Sequence, residues 1–138
     1  MADVLVDSNV LLDVLTEDAR WYAWSAGRLA ELGDTAELVI NPLIYSEVSV
    51  GFDTIEALDE ALSPRWFRRE PLPWAAGFLA GKCFQQYRQA GGTRRSPLPD
   101  FHIGAHAAIM EMRLLTRDAR RYRSYLPQLE IISPDEAG

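Results

Sequence analysis

The sequence predicts an α/β fold in which a parallel sheet carries helices on both faces. Three observations predict it. Short apolar runs rich in β-branched residues stand at 3–6, 37–40, 113–116 and 130–132, and stretches with helical spacing separate them. The first run stops at a carboxylate, Asp7, which a Ser8-Asn9 pair and an apolar helical run follow. The second run leads directly into Asn41-Pro42, a helix cap with proline in the first turn, where its missing N–H is no loss.

In chain order, Asp3–Val6 is a buried strand and Val10-Leu11-Leu12 begins the first helix. Asp18 to Leu32 reads as a second helix, with Trp21, Trp24, Leu29 and Leu32 at three- to five-residue spacing and Gly33-Asp34 as its stop. The second strand is 37–40, and its following helix runs through Ile44, Tyr45 and Val48 towards Gly51. Thr54 to Leu62 is a helix stopped by Ser63-Pro64, and Glu70 to Pro73 reads as a linker or short extended piece. Trp74 to Gln89 is a long helix ending at Ala90-Gly91-Gly92, and 91–99 is a loop. Pro99-Asp100 opens a helix that runs through Met110. A strand at 113–116, a short helix from Asp118 to Tyr125, a last strand at 130–132 and a tail from Ser133 complete the chain.

With 138 residues and no repeat, low-complexity tract or linker, residues 1–138 are expected to form a single domain. The one cysteine, Cys83, excludes an intramolecular disulfide and a Cys-rich zinc site, which suits a reducing compartment. No apolar run approaches the ~20 residues of a membrane span, and the start lacks the basic-then-apolar pattern of a signal peptide. A cytoplasmic protein is the expectation. The net charge of −6 argues mildly against general nucleic-acid binding. Yet every basic residue except Lys82 is Arg, and several cluster at 65–69, 94–95 and 117–123. Arg suits phosphate geometry better than Lys.

Ligands of open parallel sheets sit at the carboxyl ends of the strands. Asp7 ends the first strand, and Asp118 lies just past the one that ends at Thr116. Neighbouring strands are about 4.8 Å apart, so the two carboxylates can share one ion. Glu47 lies roughly 9 Å along the helix that leaves the second strand at the same edge. Asp100 stands at a helix start, where the macrodipole favours an acid. Each acid alone also suits a helix cap, first turn or exposed face. Together they repel strongly and call for a cation. Oxygen ligands without a Cys or His cluster suit Mg²⁺ or Mn²⁺ rather than Zn²⁺. Such an ion activates water and steadies a phosphoryl oxygen.

The ordered set Val-Asp-Ser-Asn at 6–9, Glu47 within Tyr-Ser-Glu-Val, Leu-Pro-Asp at 98–100 and Leu-Thr-Arg-Asp at 115–118 resembles the PIN-domain ribonucleases. More narrowly, it resembles the VapC-type toxins of bacterial toxin–antitoxin pairs. The segment Asp100-Phe-His-Ile-Gly-Ala-His-Ala followed by Leu-Leu-Thr-Arg-Asp is its most specific part. The resemblance covers nearly the whole chain. It implies a three-layer α/β/α sandwich with a short central parallel sheet, and metal-dependent cleavage of single-stranded RNA. It also implies 5′-phosphate and 3′-hydroxyl ends and inhibition by a small VapB-like antitoxin. Carried over by position, Asp7, Glu47, Asp100 and Asp118 are the acidic site, with Ser8, Asn9 and Thr116 in support. Asp7, Asp100 and Asp118 are expected to hold Mg²⁺ or Mn²⁺, and Glu47 to serve a second metal or the attacking water. Arg94, Arg95, Arg117, Arg120 and Arg121 flank these acids and are candidate RNA contacts.

Two other readings compete. A phosphatase using Asp7 as nucleophile would want a second Asp two residues on, and Asn9 stands there. A non-catalytic module with the same fold would not need the intact acid set.

His102 and His106 are four apart on one helix, a spacing that can bind metal. At about 100° per residue both point away from Asp100, which shares its face with Ile103, Gly104 and Ala107, so a structural or surface role is expected. Trp21, Tyr22 and Trp24 suit a core or a partner surface better than base stacking. The first two helices carry more apolar side chains than one face buries: Val10, Leu11, Leu12, Val14, Leu15, Trp21, Tyr22 and Trp24. That surplus predicts an interface, and the resemblance supplies the occupants: a second copy and an antitoxin whose Arg enters the acidic cluster.

Overall fold

The computed structural model describes residues 2–95 and 98–134. Ser96 and Pro97 of the predicted loop, and the predicted tail from Asp135 on, lie outside the described residues. The elements are β1 (Val4–Val6), α1 (Ser8–Leu15), α2 (Tyr22–Gly33), β2 (Leu38–Ile40), α3 (Pro42–Ser49) and α4 (Ile55–Ala61). They continue with β3 (Arg68–Arg69), α5 (Trp74–Gln89), α6 (Pro99–Ile109), β4 (Arg113–Leu115), α7 (Arg120–Tyr125) and β5 (Ile131–Ile132).

The strands form one all-parallel sheet in the order β3-β2-β1-β4-β5. Val4, Leu5 and Val6 of β1 pair with Arg113, Leu114 and Leu115 of β4, and Val4 and Leu5 also pair with Leu38 and Val39 of β2. The chain moves one way from β1 through β2 to β3, then returns to the other side of β1 for β4 and β5. Right-handed crossovers then place the helices of the two runs on opposite faces, which makes the three-layer α/β/α sandwich. The same reversal puts the switch point, where such sheets bind ligands, between the carboxyl ends of β1 and β4.

β1, β2 and β4 are buried along their whole length, which is why β1 and β2 read as continuous apolar runs and β4 does so after Arg113. Their side chains join Val10, Leu11, Ile44, Val48 and Ile103 in the main core. A second cluster of Ala76, Ala80, Cys83, Phe101, Ala105 and Leu126 packs α5, α6 and α7 together.

The structure departs from the sequence reading in four places. β3 is a strand at Arg68–Arg69, just before the segment read as a linker. Two arginines carry no apolar pattern, and only pairing with Val39 and Ile40 makes them an edge strand. α2 begins at Tyr22 rather than Asp18, because the Asp18 carboxylate holds the N–H groups of Arg20 and Trp21 at 2.9 Å in a turn. α7 begins at Arg120 for a related reason: the Asp118 carboxylate accepts from Arg120 N at 3.3 Å. The apolar surplus of α1 and α2 is partly absorbed. Val10 and Leu11 are buried and Leu12, Val14, Trp21 and Trp24 half-buried, which leaves Leu15 and Tyr22 exposed. Larger exposed aromatics stand on α5, where Trp74 is 96% and Phe78 70% exposed.

Candidate active site

Asp7 leaves β1 at the switch point and caps α1 in extended conformation (φ −67°, ψ 152°). Its amide is tied to β4 by a bond to Leu115 O at 2.9 Å, so the two strand ends are in register. The side chain is only 4% exposed. Oδ1 accepts from Ser8 N at 2.8 Å, and Oδ2 accepts from Thr116 Oγ1 at 2.9 Å and Tyr122 Oη at 2.8 Å. Burial pushes this carboxyl above its ordinary range. The Tyr122 bond opposes the shift, the Asp100 charge adds to it, and the Thr116 and Ser8 bonds oppose it again.

The Thr116 hydroxyl has one proton and two lone pairs. It accepts from Asn9 Nδ2 at 3.2 Å and Asp118 N at 3.2 Å, which directs its proton to Asp7. Asn9 Oδ1 in turn accepts from Arg117 N at 3.1 Å, which stitches the turn after β4 to the start of α1. The supporting polar residues expected from the sequence therefore form one network around Asp7.

Glu47 reaches the cluster from α3, where Oε1 accepts from Ser8 Oγ at 3.0 Å. Burial raises its carboxyl, the Ser8 bond opposes, and the charges of Asp7 and Asp100 raise it further. Asp100 comes from the first turn of α6. Its Oδ2 meets Arg121 Nη1 at 3.2 Å and its Oδ1 lies 3.4 Å from Tyr122 Oη. Asp7, Glu47 and Asp100 thus feel one another's charge across one corner of the sheet.

Asp118 lies at the rim of this network. It is exposed, and its carboxylate accepts from Arg120 N at 3.3 Å. The same turn after β4 presents the Thr116 hydroxyl to Asp7. Arg117 is engaged with α1. Its guanidinium makes two bonds to Asp13, at 2.9 and 3.0 Å, and lies over the Trp21 ring at 5.5 Å. Of the other arginines, Arg121 enters the site through Asp100, while Arg94, Arg95 and Arg120 are exposed outside it.

His106 is fully buried, and its Nδ1 pairs with Asn41 Nδ2 at 3.0 Å, which leaves Nε2 without a partner among the described residues. Burial holds it below its usual range. His102 is half-buried and on the same helix, and neither histidine touches the acids. Among the described residues no three Asp, Glu, His or Cys side chains stand close enough to ligate one ion as they are.

Tyr122 is the participant that sequence reasoning missed. Ala119, Tyr122 and Leu126 recur on the buried side of α7, so a phenol is carried into the core. A buried tyrosine hydroxyl must find a partner, and that requirement was the available signal.

The sequence model of the PIN domain matches residues 4–125. No curated protein matches the chain. Among solved structures the fold is similar to a chain of the VapBC2 complex of Rickettsia felis bound to promoter DNA. The TM-score is 0.72 at 16% identity, over 94% of this chain and 97% of that one. It is likewise similar to VapBC-1 of nontypeable Haemophilus influenzae, with a TM-score of 0.70 at 17% identity, over 94% of this chain and 96% of that one. A toxin–antitoxin complex of Klebsiella pneumoniae gives a TM-score of 0.70 at 20% identity, over 96% of this chain and 98% of that one. At these identities the likeness speaks for the fold, and with a family match spanning most of the sequence the chain belongs to the PIN domain family.

Proposed function

We propose that the chain is the nuclease toxin of a toxin–antitoxin pair, of the VapC type, and that it cleaves single-stranded regions of RNA with Mg²⁺ or Mn²⁺. The observation that carries the reading is Asp7: a buried carboxylate at the β1/β4 switch point whose ionisation Asp100 opposes, and whose own charge with that of Asp100 raises Glu47. A group in that setting is stabilised by a nearby cation, and the donors are all oxygens, which fits a hard divalent ion. Asp7 and Asp100 are the residues that would hold it, with Glu47 alongside. When bound, the ion supplies an acidified water and offsets charge on the phosphate.

The chain's own residues do the rest. Thr116, Ser8 and Tyr122 keep the Asp7 carboxylate in one orientation. Glu47, whose carboxyl is raised above its ordinary range, would accept a proton from the attacking water at an ionised carboxylate oxygen. Arg121, half-exposed beside Asp100, offers its guanidinium to a phosphate oxygen. Products with 5′-phosphate and 3′-hydroxyl ends follow from water attack with the 3′ oxygen leaving.

The similar folds stand in complexes with antitoxins, which supports a separately encoded antitoxin as partner. A homodimer is part of the same proposal. No helix among the described residues is long and apolar enough to cross a membrane, and a cytoplasmic location is proposed.

The test is cleavage of 5′-labelled single-stranded RNA with Mg²⁺, with Mn²⁺ and with chelator, for the wild type and Asp7→Asn. Cleavage that needs the ion and vanishes in the variant is expected. An Asp7→Asn protein that cuts at the wild-type rate sinks the assignment.

A further inference from the structure

We propose that Tyr122 is a positioning residue for the metal ligands: its one hydroxyl, lying beside Asp100, donates to Asp7 Oδ2 and so fixes which oxygen of Asp7 is offered to a divalent cation. The inference rests on reading Asp7 and Asp100 as those ligands. Tyr122 Oη stands 2.8 Å from Asp7 Oδ2 and 3.4 Å from Asp100 Oδ1. A phenol has one proton, and the shorter leg takes it, so Asp7 Oδ2 receives Tyr122 and Thr116 on its two acceptor positions. That leaves Asp7 Oδ1, which has a single donor in Ser8 N, as the oxygen with a position to spare for a cation. The bond thus selects which oxygen of Asp7 is offered.

The backbone around Tyr122 is shaped for this contact. Gly104 lies one helical turn after Asp100 on α6, on the face Asp100 shares. A methyl group there would stand 2.8 Å from Tyr122 Cδ1 and 2.5 Å from Leu126 Cδ1. The missing side chain is therefore what lets the Tyr122 ring lie against α6 with its hydroxyl level with Asp100. Tyr122 is itself nearly inaccessible, and nothing in solvent competes for its proton. α7 also supplies Arg121 to the other oxygen of Asp100. One short helix therefore sets both acids, which come from β1 and α6.

A ring that merely fills space predicts something different from a hydroxyl that orients ligands, and Tyr122→Phe separates the two because it keeps the ring and removes the oxygen. The measurement is Mn²⁺ binding to the purified full chain by titration calorimetry, with no RNA present. Tyr122→Phe is expected to weaken the Mn²⁺ dissociation constant by roughly tenfold or more, the size of effect seen when an outer partner of a metal ligand is lost. Gly104→Ala keeps the hydroxyl but displaces the ring, and is expected to weaken Mn²⁺ binding in the same direction. Mn²⁺ affinity within twofold of wild type in Tyr122→Phe overturns the proposal. Tighter binding also overturns it, since the hydroxyl would then compete with the cation. A Tyr122→Phe chain that does not fold overturns it too, because the hydroxyl would be holding the fold. Asp7→Asn is the control: if it keeps wild-type Mn²⁺ affinity, the metal-site reading itself falls. If it loses binding while Tyr122→Phe keeps it, only the role of Tyr122 falls.

Discussion

The guanidinium of Arg117 grips the carboxylate of Asp13 with two parallel bonds, 2.9 Å from Nε and 3.0 Å from Nη2, across 104 residues of sequence. Asp13 is 2% exposed and sits on the buried side of α1, where a third bond comes from Ser25 Oγ at 2.7 Å. This pair ties the turn after β4 to α1 and α2, and so holds Thr116 and Asn9 beside Asp7.

Removing one member of a buried ion pair strands the other charge. Arg117→Ala is therefore expected to destabilise the fold by about 3 kcal/mol. Scanning calorimetry should show a melting temperature lower by roughly 10 °C. Asp13→Asn should lose less, because it removes the buried charge along with the pair. A melting temperature within 2 °C of wild type for Arg117→Ala would contradict the anchoring role.

Asp7 gives a prediction in pH. Its folded value is raised above the ordinary 3.8, so below 3.8 its contribution to stability is fully present. That contribution is lost as pH rises through the raised folded value. Glu47 acts in the same sense from its ordinary 4.5 upward. His106 acts oppositely: burial lowers its value, so stability falls as pH drops below its ordinary 6.5. The raw melting curve mixes these, and the comparison of wild type with Asp7→Asn isolates Asp7. At pH 7 without metal, Asp7→Asn is expected to melt higher than wild type. The gap should close as pH falls towards 3.8. A gap that does not change with pH would mean that Asp7 is not held ionised against its burial.

Arg94, Arg95 and Arg120 are exposed and flank the acids in sequence, and phosphate contact by them has a direct test. Each phosphate contact on a single strand contributes about 0.7 to the slope of log affinity against log salt. The triple Ala variant is expected to bind RNA more weakly and to lower that slope by about 2. Fluorescence anisotropy across a salt series measures it. An unchanged slope would leave these arginines as solvated surface.

Trp74 and Phe78 lie one turn apart on α5 and are the most exposed aromatics of the chain among the described residues. Aromatic area of that kind is enriched at interfaces. The purified chain is expected to be a dimer by light scattering, and Trp74→Ser with Phe78→Ser to be a monomer that still folds. A wild-type monomer would remove the homodimer from the proposal. Co-expression with the neighbouring small gene, followed by co-purification, tests the antitoxin separately.

What the sequence determined by itself was local. The run Val4-Leu5-Val6 followed by Asp7 reads as a strand, a carboxylate and a helix start, because periodicity and capping act within a few residues. Asn41-Pro42 does the same for α3, which is why Asp7 and Asp100 were legible as acids at a strand end and a helix start, and Glu47 as an acid on the helix leaving the second strand. The tertiary structure decided which partners those ends meet. Arg68 and Arg69 become a strand only because β2 lies beside them. Asp118 turns to its own backbone, and Arg117 is taken up by Asp13 rather than by the site rim. The hydroxyl that donates to Asp7 beside Asp100 arrives from α7, brought there by the order β3-β2-β1-β4-β5 and by the bare backbone at Gly104. Those contacts depend on which strands become neighbours and how closely two helices approach, and no stretch of a few residues carries that information.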